Sequence, residues 1–212
     1  MSARRALGLA AADLYRNSWR LVPVNAALGV VLVFATVAAV AVHALLVLAV
    51  LAGPLAVALA HSSVTLVRTG NLALADAWEG LRLHWRRGLA LGAAGVALGV
   101  LAALAIRFYA RSSFGWPFAF LTLYLVALLG IYAVVLTMVV VAEPAESLRT
   151  AARSAAALVA RRPGATFLVG LALLLVNLAG FAAALMPFLT ITIAYSFVAV
   201  AHFVLPPEAR EV

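Results

Sequence analysis

The chain contains no cysteine and no lysine, and it is short of acids. Without cysteine there is no disulfide, no thiol nucleophile and no thiolate metal site. Charged residues make up 10% of its 212 residues, against about 25% in a soluble domain. The seven acids are Asp13, Asp76, Glu79, Glu143, Glu146, Glu208 and Glu211, and none sits well inside an apolar run. Ion-coupled transporters place ionisable groups at bilayer depth, so this distribution weighs against such a mechanism. No HExxH, phosphate-loop or GxSxG string occurs, which leaves hydrolytic and phosphoryl-transfer chemistry without support. The sequence reads as that of a non-enzyme and implies no cofactor.

What is abundant is apolar. Hydrophobic residues are 67% of the chain. A chain of this composition cannot cover its surface with polar groups, so lipid must cover it. Six runs are long enough to cross a bilayer, which takes about 20 residues of helix. They are Leu21 to Val42, Ala44 to Val67 with Gly53-Pro54 near its middle, Leu89 to Ile106, Pro117 to Ala142, Thr166 to Leu185, and Phe188 to Leu205. Helix is required, because an open sheet would leave backbone groups unpaired in lipid. The first run is preceded by a segment containing Asp13, too long and too acidic for a cleaved signal, and is expected to remain as a span.

All fifteen basic residues are arginine, and the net charge is +8. In a soluble protein that would suggest nucleic acid. In a membrane protein, basic residues gather in cytoplasmic loops instead, so no nucleic-acid partner is expected. Arg4, Arg5, Arg16, Arg20, Arg68, Arg82, Arg86, Arg87, Arg149, Arg153, Arg161, Arg162 and Arg210 fall on one side, and only Arg107 and Arg111 on the other. The bias predicts that both termini are cytoplasmic. The minority loop RFYARSSFGWPF carries Phe108, Tyr109, Phe114, Trp116 and Phe118, a composition suited to the outer interface. With so much Ala, Val and Leu, the lysine-free composition points to a GC-rich bacterial genome and an inner-membrane protein.

The most polar stretch, WEGLRLHWRRG, is one of three similar ones. DLYRNSWRLVP precedes the first span, EGLRLHWRRGL the third, and AALVARRPGAT the fifth. Trp19-Arg20, Trp85-Arg86 and Ala160-Arg161 occupy matching places, which gives repeat-like units 1–67, 68–142 and 143–205 and a tail 206–212 in one domain. Each unit begins with an amphipathic helix. In the first, Leu7, Ala10, Ala11 and Leu14 share a face, with Arg5, Asp13, Arg16 and Arg20 opposite. In the second, Asp76 is placed to cap the helix, and Trp78, Leu81 and Trp85 share a face. In the third, Pro144 suits a first turn, and Leu148, Ala151, Ala152, Ala155 and Val159 line one side. Such helices lie in the membrane interface with arginines toward anionic headgroups. They are read here as anchored elbows at which the chain turns into each hairpin. A second reading makes Trp19, Arg20, Trp78, Trp85, Arg86 and Arg161 a docking surface for a partner, and the two are compatible.

The remaining polar groups are few. His43 sits at the outer turn, His84 in the elbow, and His61 and His202 at similar depth, where they can approach one another. A metal site there lacks a third ligand or carboxylate, which favours helix-to-helix hydrogen bonding. Asn177, Thr192, Tyr195 and Ser196 offer either interhelical hydrogen bonds or the wall of a substrate cavity, with Gly53-Pro54 and Ala184-Leu185-Met186-Pro187 bending helices around it. Gly88, Gly92, Gly95 and Gly99 form one helical face, suited to close packing within the chain or to a homodimer seam.

LYRNSWRLVPVNAALG, LADAWEGLRLHWRRGLALG and EPAESLRTAARSAAALVARRPGATFLV together resemble the YesL-like integral membrane proteins, a bacterial family with a domain of unknown function. The resemblance spans about Leu14 to Leu205, and its most specific part is the aromatic-basic elbow before the third span. It implies a multi-span protein of the cell membrane and, because family members are often encoded beside carbohydrate ABC-type uptake systems, an accessory role there. It brings no active residues. The expected architecture is all-α: six transmembrane helices as three hairpins, each preceded by a cytoplasmic amphipathic helix. The expected partners are membrane lipid and a transporter permease subunit. The alternative is a small transporter or channel with its own cavity near the fifth and sixth spans.

Overall fold

The computed structural model describes residues 2–41, 43–112, 114–183 and 185–205, and every regular element in them is helical. The tail with Pro206-Pro207, Glu208, Arg210 and Glu211 lies outside the described residues, as do Ala184 and the side chain of His43. Seven α-helices follow in order: α1 Ala3–Ala41, α2 Ala52–Thr69, α3 Leu74–Tyr109, α4 Trp116–Ala142, α5 Leu148–Arg161, α6 Pro163–Ala182 and α7 Ile193–Val204. A 3₁₀ segment, His43–Leu51, leads into α2, and a π-helical turn, Phe188–Thr192, leads into α7. Five stretches are long and apolar enough to cross a bilayer: Ala3–Ala39, Val47–Thr69, Leu74–Tyr109, Trp116–Ala142 and Pro163–Ala182. Phe188–Val204 is a shorter apolar helical stretch. This is an all-α, multi-pass membrane protein.

The elbows differ from the sequence expectation. α3 runs unbroken for 36 residues, so the chain does not turn between Trp85 and Gly88. Nothing there breaks a helix, since Arg86-Arg87-Gly88-Leu89 contains no proline and arginine and leucine are good helix formers. α1 joins its amphipathic part to its apolar part through a kink at Asn17, whose φ/ψ of −116°/15° is not helical. Only the third unit has a separate amphipathic helix. α5 starts at Ser147, whose hydroxyl accepts from the Thr150 N–H, and stops at Arg162 before Pro163. Pro144 lies in the preceding turn rather than in the helix. Asp76 is also one turn from its expected role: Ala73 is the N-cap, and the Asp76 carboxylate accepts from the Ala73 N–H at 2.7 Å.

Packing is uneven along the helices. Buried residues of α4 are Ala119 and then Val135 and Thr137 through Ala142, toward the arginine-rich end. Those of α3 are Gly80, His84 and Gly88, and its most apolar window contributes none. α2 and α3 are the most closely paired helices, and α1 packs on α7. Small residues permit the first pairing: a methyl group on Gly53 would strike the Gly88 carbonyl and the Gly92 backbone. The proximal half of the glycine face therefore packs within the chain. Gly95 and Gly99 have open space where a side chain would stand.

The π-helical turn is the weak point of such a fold, because widened hydrogen-bond rings leave backbone groups without their α-helical partners. Asn25, fully buried on α1, fills that gap. Its Nδ2 donates to the carbonyls of Phe188 at 2.9 Å and Leu189 at 2.7 Å, and its Oδ1 accepts from the Ala194 N–H. Each buried backbone group left unpaired costs roughly 1–3 kcal/mol. We predict that Asn25→Leu, similar in size and fully apolar, destabilises the protein by at least about 2 kcal/mol. Asn25→Asp, which loses both donors, should destabilise it in the same direction. Thermal unfolding of the purified variants in detergent checks this. A melting temperature unchanged in Asn25→Leu would show that the turn satisfies itself.

Candidate functional site

The arginine-rich end carries two chemically similar pairs. The Arg20 guanidinium lies over the Trp19 ring, 4.7 Å from its centroid, and Arg86 lies over Trp85 at 5.4 Å. Trp19 is 64% exposed, Trp78 69% and Trp85 46%. The face of α3 that packs inward is Gly80, Leu81, His84 and Gly88, so Trp78 and Trp85 point outward. Arg161 is exposed in the last turn of α5 and has no tryptophan beside it, since Ala160 holds the matching place. A cation over an aromatic face gains about 0.5–1 kcal/mol when exposed. The pairs thus keep their rings and charges presented together at the interface.

Neighbouring arginines do something else. Arg87 Nη2 donates to the carbonyls of Pro144 and Glu146, both at 2.9 Å, and its Nη1 to Val140 at 3.4 Å. Arg68 Nη2 donates to the Ala142 carbonyl at 3.2 Å. The last carbonyls of a helix have no intrahelical donor, and cations there also suit the helix dipole. Arg68 and Arg87 therefore close the end of α4 and hold the turn into α5. Arg20 reaches Asn71 Oδ1 in the turn after α2. The sequence marks these arginines only as charges on one side of the membrane, and their targets are main-chain carbonyls that no spacing rule reveals.

The histidines pair differently from the sequence expectation. His202, 2% exposed, places Nε2 2.7 Å from Asp13 Oδ2, with the ring N–H donating to the carboxylate. His61 meets His84, ring centroids 5.8 Å apart, rather than His202. Asp13 belongs to the packed face of α1 together with Ala6, Ala10 and Leu14, so the amphipathic part of α1 buries that face against protein. Ala11, expected on that face, is exposed. The signal in the sequence is the period Ala3, Ala6, Leu7, Ala10, Asp13, Leu14, Asn17, in which a carboxylate interrupts small residues. Among the described residues no three His, Asp or Glu side chains gather as a metal site.

The four cavity candidates separate into two groups. Asn177 and Ser196 line an apolar cavity of about 520 Å³ between α4, α6 and α7. Asn177 Nδ2 donates to Ser196 Oγ at 2.6 Å and to the Leu173 carbonyl at 2.8 Å, and Ser196 donates to the Thr192 carbonyl at 2.8 Å. Thr192 faces Gly180 in the packed seam. Tyr195 turns the other way, its hydroxyl donating to the Leu7 carbonyl of α1 at 3.2 Å. Neither lines that cavity. Asn177 and Ser196 are engaged with each other, whereas the buried Thr166 hydroxyl in the same wall has no partner among the described residues. Apart from Tyr124, the rest of the wall is apolar.

Comparison with protein-family models, with curated proteins and with solved structures finds no match to this chain.

The Asp13–His202 pair gives a direct test of how α1 is held. Asp13→Ala leaves a buried imidazole without its partner and should cost roughly 1–3 kcal/mol. His202→Leu should cost less, because Asp13 retains some exposure. A double-mutant cycle on thermal stability in detergent should return a coupling of about 1 kcal/mol or more. Additive effects would show that the contact does not hold α1 to α7.

Proposed function

We propose that this chain is a non-enzymatic accessory protein of an uptake transporter, acting by docking through its arginine-rich face. The observation that carries the reading is the repeated, outward-facing Trp–Arg pair, Trp19 with Arg20 and Trp85 with Arg86, on a face braced by Arg68 and Arg87. Tryptophan and arginine are the residues most enriched at energetically dominant contacts. Carbohydrate as the transported class, and the YesL-like family itself, rest on the sequence resemblance. The engagement of Asn177 and Ser196 with each other weighs against the alternative of a substrate path along α6 and α7, and leaves Thr166 as the one unpaired buried hydroxyl in that cavity's wall among the described residues.

The accompanying topology is six spans in three hairpins in a bacterial inner membrane, with Phe188–Val204 as the sixth span and both termini cytoplasmic. The distribution of thirteen arginines against two supports it. The absence of cysteine makes it easy to test. A single cysteine at Ser112 should react with a membrane-impermeant maleimide in intact cells, whereas Ser2→Cys and Ser147→Cys should react only after permeabilisation. The reverse pattern would invert the orientation.

For the docking itself, affinity purification from native membranes in mild detergent should recover a permease or ATPase subunit in stoichiometric amount. Trp19→Ala with Trp85→Ala should reduce that recovery several-fold at unchanged yield and melting temperature. Recovery of a partner-free protein would remove the accessory reading. A fall in yield instead of partner recovery would make the pairs membrane anchors.

A further inference from the structure

A cleft of about 1030 Å³ runs between α1, α2, α3 and α4, with the start of α7 at its floor. From Leu91 to Arg107 its wall follows α3 for about 24 Å at 1.5 Å per residue. That is most of the roughly 30 Å hydrocarbon core of a bilayer. The cleft is open sideways: Leu98, Leu104 and Leu129 line it and are all substantially exposed. Its lining is almost wholly apolar. Tyr132 and Thr137, the two hydroxyl side chains in the wall, are already used, donating to the Ala152 and Ala133 carbonyls. That leaves one group in the wall with unspent polar chemistry, Arg107, near the end of α3.

Arg107 stands at headgroup level. Two residues on, Tyr109 stacks on Phe118 with centroids 5.3 Å apart, and Trp116 opens α4 just after the turn; tyrosine and tryptophan favour the membrane–water boundary. No carboxylate among the described residues pairs with Arg107, and the described acids all belong to the opposite, arginine-rich end. A guanidinium presents a donor fork that matches a phosphate bidentately. The glycine face explains why the cleft exists. Gly88 and Gly92 bring α3 against α2, while Gly95 and Gly99 lie farther along the same face, line the cleft and meet nothing.

We propose that this cleft is a binding site for one glycerophospholipid with a net-anionic headgroup, its phosphate on Arg107 and an acyl chain along the glycine-lined wall of α3. The cavity between α4, α6 and α7 has no charged group in its lining and supplies a built-in control. Gly130 lines that second cavity and also has open space where a side chain would stand.

Native mass spectrometry of the full chain, released from mild detergent and titrated with phosphatidylglycerol and phosphatidylcholine of identical acyl chains, tests this. The wild type should hold one phosphatidylglycerol per chain, preferred over phosphatidylcholine by about fivefold, as expected for roughly 1 kcal/mol per basic residue at a membrane surface. Arg107→Gln should bring that ratio to near parity. Gly95→Leu with Gly99→Leu, placed where an added Cβ meets nothing and projecting into the cleft, should remove the one-lipid adduct of both lipids, and Gly130→Leu should leave it intact. If the double glycine variant does not fold, Ala103→Leu at the same wall replaces it. Equal retention of the two lipids by the wild type would overturn the proposal. So would an adduct that survives filling of the cleft, or a dimer in which a second copy covers it. None of these outcomes depends on a transporter partner.

Discussion

The structure depends on one constraint, that every main-chain polar group inside a bilayer must find a partner in the protein. The π-helical turn before α7 breaks the pattern that would satisfy this automatically, and Asn25 restores it with a single side chain facing three backbone groups. The same division of labour recurs elsewhere. Arg68 and Arg87 serve the last carbonyls of α4 and the turn beyond it, Tyr132 serves α5, and Tyr195 serves α1. A chain with so few polar side chains uses them on its own backbone. Among the described residues, the buried hydroxyls of Thr166 and Thr192 are exceptions to this use.

Lipid supplies no hydrophobic drive for helix association, so helices come together where small residues and hydrogen bonds make it favourable. Here both are concentrated toward the arginine-rich end. Gly53, Gly88 and Gly92 draw α2 and α3 into backbone contact, and Ala6 and Ala10 bring α1 onto the core. The Asp13–His202 pair, the Arg87 contacts and the His61–His84 contact belong to the same end. Beyond Gly92 the small residues of α3, Gly95 and Gly99 among them, meet no partner helix, and α3 and much of α4 stand exposed.

Much of this was legible in the sequence. Composition and run length reveal a multi-pass helical protein, and the Arg162-Pro163 stop of α5 follows from the proline rule, whereas its start falls at Ser147 rather than at the expected Pro144. The inward face of α5 is the one its periodicity indicates, because Leu148, Ala151, Ala152 and Ala155 contrast with arginines at Arg149 and Arg153. The faces of α1 and α3 were harder to read. Alanine and glycine pack inward there, while the large Trp78 and Trp85 stand exposed, which inverts the pattern familiar from soluble helices. The kink at Asn17 and the unbroken α3 illustrate a second limit: similar letters in Trp19-Arg20 and Trp85-Arg86 do not impose the same backbone. Contacts such as Asp13 with His202, separated by most of the chain, carry no local signature at all.

The unequal packing bears on how the candidate sites relate. If the arginine-rich end holds the helices, the far end is shaped chiefly by what surrounds it, because the wall of the cleft is almost wholly apolar and no hydrogen bond among the described residues crosses it. An occupant between α3 and α4 therefore contributes packing that the chain itself omits. At the arginine-rich end, in contrast, Arg20 and Arg86 stack on Trp19 and Trp85, and Arg87 holds the loop after α4. A partner docking on a rigid face loses little conformational freedom in doing so. The arginines thus fix the fold at one end, while the cleft at the other has no comparable clamp among the described residues.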